Sequence, residues 1–195
     1  RARASLDLDV AREGRAKDSD DRTQESVLKM LAMGGKGNFA EQLSDLNIVP
    51  LTISYEFDPC DYLKAKEFQQ KRDNPRYKKS RQDDLDNMRV GIFGFKGHVH
   101  YHCAAPVNTF MNELSAQNLP KNDFYRALAE QIDKQIHSHY RIYPNNYIAL
   151  DKLNGNQEYA THYTQEDKIR FENYLAGQLA KIDLPNKDEE YLIER

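Results

Sequence analysis

One apolar stretch with a proline inside it, residues 47–55, constrains the fold of this chain more than any other feature. It reads Asn-Ile-Val-Pro-Leu-Thr-Ile-Ser-Tyr and is rich in β-branched residues, which favour strands. Pro50 cannot donate a hydrogen bond to a neighbouring strand, so it is predicted to open the strand or to lie at a sheet edge. A strand of this kind requires a partner strand and helices that cover it.

Helical patterns alternate with strand patterns along the rest of the chain. Further strands are predicted at residues 6–11 and 96–103. Strands interleaved with helices predict an α/β fold, a layered domain with a mixed central sheet flanked by helices and a helical C-terminal region. The helices are predicted from residue 20 to the Gly34-Gly35 pair and at residues 39–46, 61–71, 82–92, 122–139 and 165–181.

Composition excludes several classes of protein. The net charge of −3 excludes a generally basic nucleic-acid-binding protein. Cys60 and Cys103 lie far apart, which predicts reduced thiols rather than a disulfide framework. No apolar run has the length of a membrane span, and no signal-peptide pattern is present.

Three short blocks carry a resemblance to a known family. The first is Glu13-Gly14-Arg15, the second is residues 48–55, and the third is residues 99–107, which end at Pro106-Val107. In this order and spacing they resemble the glycerol-phosphate and lysophosphatidate acyltransferase family, over about residues 10–110. The resemblance implies a partial acyltransferase domain at residues 1–110, with residues 111–195 as a helical region packed on the same domain.

The resemblance also implies an activity and an acceptor site. The enzyme would transfer a fatty acyl group from acyl-CoA or acyl carrier protein to a glycerol-phosphate-type hydroxyl in phospholipid synthesis. Arg15 would hold the acceptor phosphate, because a guanidinium matches phosphate oxygens in a bidentate manner. Gly14 would shape the corner, Glu13 would hold the loop or its arginine, and Pro50 would form the neighbouring wall. The alternative for the first block is a solvated turn with a surface ion pair.

The catalytic histidine of that family is missing from the sequence. The family carries a His-x4-Asp block before Glu-Gly-Arg, and its histidine is the general base for the acceptor hydroxyl. No histidine precedes Arg12, and the chain lacks an initiator methionine, so we expect the block in a longer parent protein and an inactive isolated chain. The same spacing at His162 and Asp167 lies on the wrong side of the other blocks. Thr164 and Asp167 instead predict a helix-capping box.

A metal site is a competing interpretation. His98, His100 and His102 alternate along a predicted strand, so their rings would share one face about 6–7 Å apart. They could chelate zinc in a metal-dependent hydrolase if a third ligand and a carboxylate converged on them. Ordinary strand amphipathicity is the preferred interpretation, with the histidines facing solvent and three residues facing the core: Val99, Tyr101 and Cys103.

A basic stretch offers an alternative function without catalysis. Eight basic and two acidic residues between Lys64 and Arg81 give this stretch a charge of +6. It could meet anionic lipid headgroups, the phosphates of acyl-CoA or an acidic acyl carrier protein. Nucleic acid is disfavoured because only Phe68 and Tyr77 offer stacking surfaces there. A solvated loop is the plain alternative.

The expected partners follow from the acyltransferase interpretation. They are acyl-CoA or acyl carrier protein and a glycerol-phosphate-type lipid acceptor, with an anionic membrane surface as a further candidate. No metal or redox cofactor is expected. The expected location is cytoplasmic, peripheral at the inner face of the membrane.

Overall fold

The computed structural model describes residues 20–33 and 37–194, with side chains from Glu25 onward. It is mostly helical, with one two-stranded antiparallel sheet in the described ranges, which is consistent with the predicted mixed α/β class. The layering of helices on a central sheet stays a prediction, and the predicted strand 6–11 lies outside the described residues. The helices are α1 (Asp20–Leu31), α2 (Phe39–Asp45), α3 (Asp61–Asp73), α4 (Arg81–Phe93), α5 (Asn108–Ala116), α6 (Lys121–His139), α7 (Pro144–Asn154), α8 (Gln165–Ala180) and α9 (Glu189–Ile193), with a 3₁₀ turn at Ala160–His162; the strands are β1 (Leu51–Tyr55) and β2 (Val99–Cys103).

Three helices begin at reciprocal side-chain caps. The side chains of Asn38, Ser80 and Thr164 each accept a hydrogen bond from the backbone N–H three residues further on. The carboxylate at that position accepts the backbone N–H of the capping residue. These bonds satisfy amide groups that the first turn of a helix leaves without partners. The capping box predicted at Thr164 is therefore confirmed, and it occupies the carboxylate of Asp167.

The chain divides into two compact units. The first contains the described residues up to Ser54 together with His100–Arg141. Its core consists of side chains from α1, α2, α5 and α6, and Leu43 and Leu128 have no solvent exposure. Phe39 packs edge-on against Phe124, with ring centroids 5.0 Å apart. The predicted division at residue 110 stays a prediction.

The residues of β2 that were predicted to face the core are exposed, and two polar residues of β1 are buried. Thr52 and Ser54 are buried, whereas Tyr101 is 62% exposed and Cys103 is also exposed. The prediction that Val99, Tyr101 and Cys103 face the core is therefore wrong. The cause is α6, because its last turn leaves polar groups that only a polar strand face can satisfy. Thr52 donates its hydroxyl to the carbonyl of Ile136 at 3.3 Å, and the Ser54 hydroxyl accepts the Arg141 N–H at 2.9 Å.

The second unit contains Tyr55–Val99 and the described residues from Ile142 onward. Apolar side chains from α3, α7, α8 and α9 form its core together with Phe57. Pro144 occupies the first turn of α7, and Gly155 ends that helix with a left-handed backbone at φ 63°. Among the described helices, none combines the length and the apolar character that a membrane crossing needs.

Truncation of a core side chain tests the first unit. We expect Leu128→Ala to lower the free energy of unfolding by about 2–5 kcal/mol, because it leaves a cavity in a fully packed site. Urea unfolding followed by circular dichroism measures the change. Leu85→Ala, at an exposed helical position, is the matched control and should change stability by less than about 0.5 kcal/mol. Equal losses in the two variants would contradict this packing.

Candidate functional site

The structure describes one of the four predicted acceptor-site residues. Glu13, Gly14 and Arg15 lie outside the described residues. Pro50 is buried and directly precedes β1, which confirms that it opens the strand. Its carbonyl accepts the N–H of Ala104 at 3.0 Å, and two residues earlier the carbonyl of Ile48 accepts the N–H of Val107 at 3.0 Å. The second and third sequence blocks are therefore hydrogen-bonded neighbours.

The basic stretch between Lys64 and Arg81 is partly neutralised. At least five of its eight basic side chains form ion pairs with carboxylates. Much of the stretch is helical, since α3 extends to Asp73. Arg76, Lys78 and Arg81 are exposed and are not among these pairs. The charge that this stretch offers a partner is therefore smaller than the sequence count.

The histidines of β2 and the residue before it have separate partners. His98 contacts a carboxylate, whereas the ring of His102 stacks on His139 with centroids 3.7 Å apart. Desolvation and the neighbouring imidazoles of His139 and His100 lower the pKa of His102. Within residues 20–33 and 37–194, no group of three His, Cys, Asp or Glu side chains is arranged to hold a metal ion. The zinc interpretation therefore has no ligand set in this part of the chain.

A buried carboxylate follows β1 and belongs to the second unit. The side chain of Glu56 is 2% exposed. Its Oε2 accepts the backbone N–H of His98 at 2.9 Å and lies 2.6 Å from the ring Nδ1 of the same residue. Its Oε1 pairs with the guanidinium of Arg170 from α8. These partners offset the cost of removing a carboxylate from water.

A second buried carboxylate, Asp61, lies at the start of α3. Its Oδ2 accepts the hydroxyl of Tyr174 at 2.5 Å, and its Oδ1 accepts the amide of Gln178 at 2.8 Å. Burial raises the pKa of Asp61, against the opposing effect of these hydrogen bonds and the Tyr62 backbone N–H. Burial and the adjacent carboxylate also raise the pKa of Tyr174. The phenol therefore remains protonated and serves as the donor.

A cleft of about 340 Å³ lies beside Tyr174 and Gln178. The ring of Tyr174 stacks on Phe57 at a centroid distance of 4.0 Å, and Phe57 stacks on Phe95 at 5.9 Å. Hydroxyl, amide and ammonium groups lie at one part of the lining, and aliphatic and aromatic surfaces form the rest. The lining residues are Pro59, Tyr62, Val90, Gly94, Phe95, Asn173, Tyr174, Gly177, Gln178 and Lys181.

This arrangement suits an amphipathic ligand. Binding sites of this type are mostly apolar and carry a few convergent polar groups that set orientation. At this cleft, Val90 and Phe95 offer apolar contact and Lys181 offers a cation, while the hydroxyl of Tyr174 is already bonded to Asp61 and Gln178. The sequence reasoning missed this site. No local pattern in the sequence indicated it, because its lining residues come from separate segments that only the fold brings together.

The comparisons with known proteins identify no relative. No family model, curated protein or solved structure matches the chain. The candidate function therefore depends on the sequence blocks and on the geometry of the described residues.

Two glycines provide a matched test of the packing around Glu56. Gly97 and Gly155 both have left-handed backbones, with φ 64° and 63°. A Cβ at Gly97 would lie 2.4 Å from Oε2 of Glu56, whereas a Cβ at Gly155 would meet nothing within 4 Å. We expect Gly155→Ala to cost about 1 kcal/mol from backbone strain alone. Gly97→Ala should cost about 1–3 kcal/mol more, measured by urea unfolding, because of the clash. Similar losses in both variants would contradict the close approach.

The raised pKa of Asp61 predicts a pH dependence of stability. Protonated Asp61 favours the folded state, so its contribution is full below the ordinary pKa of 3.8 and is lost as pH rises through the raised value. Asp61→Asn does not titrate. The unfolding free energy of this variant minus that of the wild type should therefore increase as pH rises above 3.8.

A control with the opposite sign is available in the same unit. The hydrogen bond from Lys66 lowers the pKa of Asp183, so its stabilising contribution is present above pH 3.8 and is lost on acidification. The corresponding difference for Asp183→Asn should decrease as pH rises. Urea unfolding at several pH values measures both slopes, and slopes of the same sign would contradict the assignment of Asp61.

Proposed function

We propose that this chain belongs to an O-acyltransferase that moves a fatty acyl group from acyl-CoA or acyl carrier protein to a glycerol-phosphate-type hydroxyl. The observation that carries the proposal is the pairing of two of the three family-like blocks. Pro50 and Ala104 are joined by a backbone hydrogen bond, as are Ile48 and Val107. Blocks far apart in sequence are thus neighbours, as the parts of one site need to be.

The acceptor side of the proposal concerns the first block. Arg15 would bind the phosphate through its planar fork of donors, with Gly14 shaping the corner and Glu13 holding the loop or the arginine. Pro50 would form the wall beside them. The general base would be the histidine of a His-x4-Asp block outside the printed sequence, because this chain has no such block before Glu13.

The acyl side of the proposal concerns the cleft of the second unit. An acyl chain needs apolar contact, which Val90, Phe95 and the ring of Tyr62 offer. The polar end of the same ligand would meet Tyr174 and Lys181. The reaction needs no metal or redox cofactor. We place the enzyme in the cytoplasm, peripheral at the inner face of the membrane, with the two-stranded sheet as part of a layered α/β domain.

A conservative substitution at the acceptor site tests the proposal. In the parent protein that includes the histidine block, Arg15→Lys should raise the KM for a phosphate-bearing acceptor about tenfold, equivalent to about 1.4 kcal/mol. Lysine keeps the charge but loses the bidentate geometry. The KM for the acyl donor should change little. Initial rates with radiolabelled acyl-CoA measure both constants.

Two controls sharpen this measurement. Arg126→Lys, at an exposed position of α6, should leave both constants unchanged. The printed chain alone, which lacks the histidine block, should show no transfer above background. An equal rise of both KM values in Arg15→Lys, or no rise in either, would remove Arg15 from the acceptor site.

A further inference from the structure

Helix α4 carries an exposed apolar surface that the core of the second unit does not use. None of the thirteen residues of α4 is buried. Large apolar side chains on this helix and the loop after it remain open to solvent, and Phe93 reaches 83% exposure. We call this surface the α4 face, and it consists of Leu85, Met88, Ile92, Phe93 and Phe95.

The contacts of α4 show which side of the helix packs on the unit. The carbonyl of Asn87 accepts the Cys60 thiol at 3.3 Å, and a Cβ added to Gly91 would lie 3.5 Å from the same sulfur. Val90 lines the cleft. Leu85, Met88 and Ile92 follow one another at spacings of three and four residues, so they form a stripe on the opposite side.

Basic residues accompany this stripe. Between Arg76 and Lys96 the chain has six basic and three acidic residues, a net charge of +3, although the whole chain has −3. The acidic residues are engaged within the segment, since Asp83 caps α4, Asp84 pairs with Lys79 and Asp86 contacts Arg89. Another group remains exposed around the stripe: Arg76, Lys78, Arg81 and Arg89.

We propose that the α4 face docks on an anionic lipid bilayer, with its apolar stripe in the interface and its arginines and lysine at the headgroups. Exposed apolar side chains of this kind can enter the acyl boundary of a bilayer while neighbouring cationic side chains meet its headgroups. Basic side chains gain energy near anionic headgroups. In water the five large apolar side chains of the α4 face stay exposed to solvent. Docking on a bilayer would remove them from water.

Docking in this manner would place the bilayer next to the cleft. The use of the cleft for a lipid acyl chain rests on the proposed function. Phe95 belongs to the α4 face and also lines the cleft, together with Val90 and Gly94. A lipid acyl chain held at the docked surface would thus have an apolar path toward Tyr174. The bilayer would supply the lipid substrate from the side of α4.

Vesicle sedimentation with the 195-residue chain tests the docking surface. The probes are vesicles of phosphatidylcholine alone and vesicles with about one third phosphatidylglycerol. We expect binding to the anionic vesicles that weakens as salt is raised from about 0.1 M to about 1 M. The double variant Ile92→Ser/Phe93→Ser should reduce binding at least tenfold. Arg76→Gln/Lys78→Gln/Arg81→Gln should reduce both the binding and its salt dependence.

Ile169→Ser is the matched control. Ile169 is 54% exposed on α8 of the same unit and Ile92 is 66% exposed, so Ile169→Ser is compared with the single variant Ile92→Ser, which removes a similar surface and should weaken vesicle binding. The control should bind vesicles within twofold of the wild type. Unfolding curves and circular dichroism of both variants should match the wild type, since neither side chain is buried.

Two results would overturn the proposal. One is equal vesicle binding by the wild type and the Ile92→Ser/Phe93→Ser variant. The other is a wild-type dimer that becomes monomeric in this variant by light scattering, which would assign the α4 face to a second copy of the chain. The measurement uses no acyl donor or acceptor, so its failure is distinguishable from failure of acyl transfer.

Discussion

The buried carboxylate of Glu56 is the constraint on which the second unit depends. Its two oxygens hold the backbone and ring of His98 and the guanidinium of Arg170, which come from parts of the chain far apart in sequence. The backbone of the same residue donates to the His98 carbonyl and accepts the side-chain amide of Asn145. These bonds join α8 to the segment after β1, and the apolar packing of Phe57 with Phe171 and Leu175 completes the contact.

The cleft follows from that arrangement. Once Arg170 fixes α8, Tyr174 lies one turn further along the same helix and reaches both the Phe57 ring and the carboxylate of Asp61. Gln178, a further turn along, donates to the same carboxylate. Side chains that satisfy Asp61 in this manner also line the cleft, so the polar groups available to a ligand are already oriented by a structural network. A ligand would therefore meet side chains whose rotamers are held in place before it binds, which lowers the entropic cost of binding.

Local patterns predicted the elements, whereas tertiary contacts decided which faces are buried. The β-branched residues after Pro50 predicted a strand, and the spacing of Thr164 and Asp167 predicted a capping box at the start of α8. Both predictions are confirmed. The faces of the strands were not predictable in the same way, because a hydroxyl at Thr52 is buried only when a helix carbonyl such as that of Ile136 is present to accept its hydrogen bond. Pro144 begins α7, since proline is favourable in a first helical turn. The roles of Glu56 and Asp61 depend on partners more than 40 residues away in sequence, which no local pattern indicates.

The second unit buries two carboxylates and leaves an apolar stripe of α4 exposed to solvent. The carboxylates of Glu56 and Asp61 are buried, while the stripe of Leu85, Met88 and Ile92 is exposed on α4. The free energy gained by burying apolar side chains is proportional to the apolar area removed from water. Because the α4 stripe stays exposed, the folded chain does not gain this stabilisation from it. The hydrogen bonds and the half-exposed ion pair of these carboxylates do not offset that loss, since desolvation cancels much of the attraction that a buried carboxylate gains. The arrangement becomes favourable when a second apolar phase covers the stripe and leaves the arginines in a polar, anionic layer. A lipid surface meets both conditions at once, whereas an uncharged apolar partner would meet only the first.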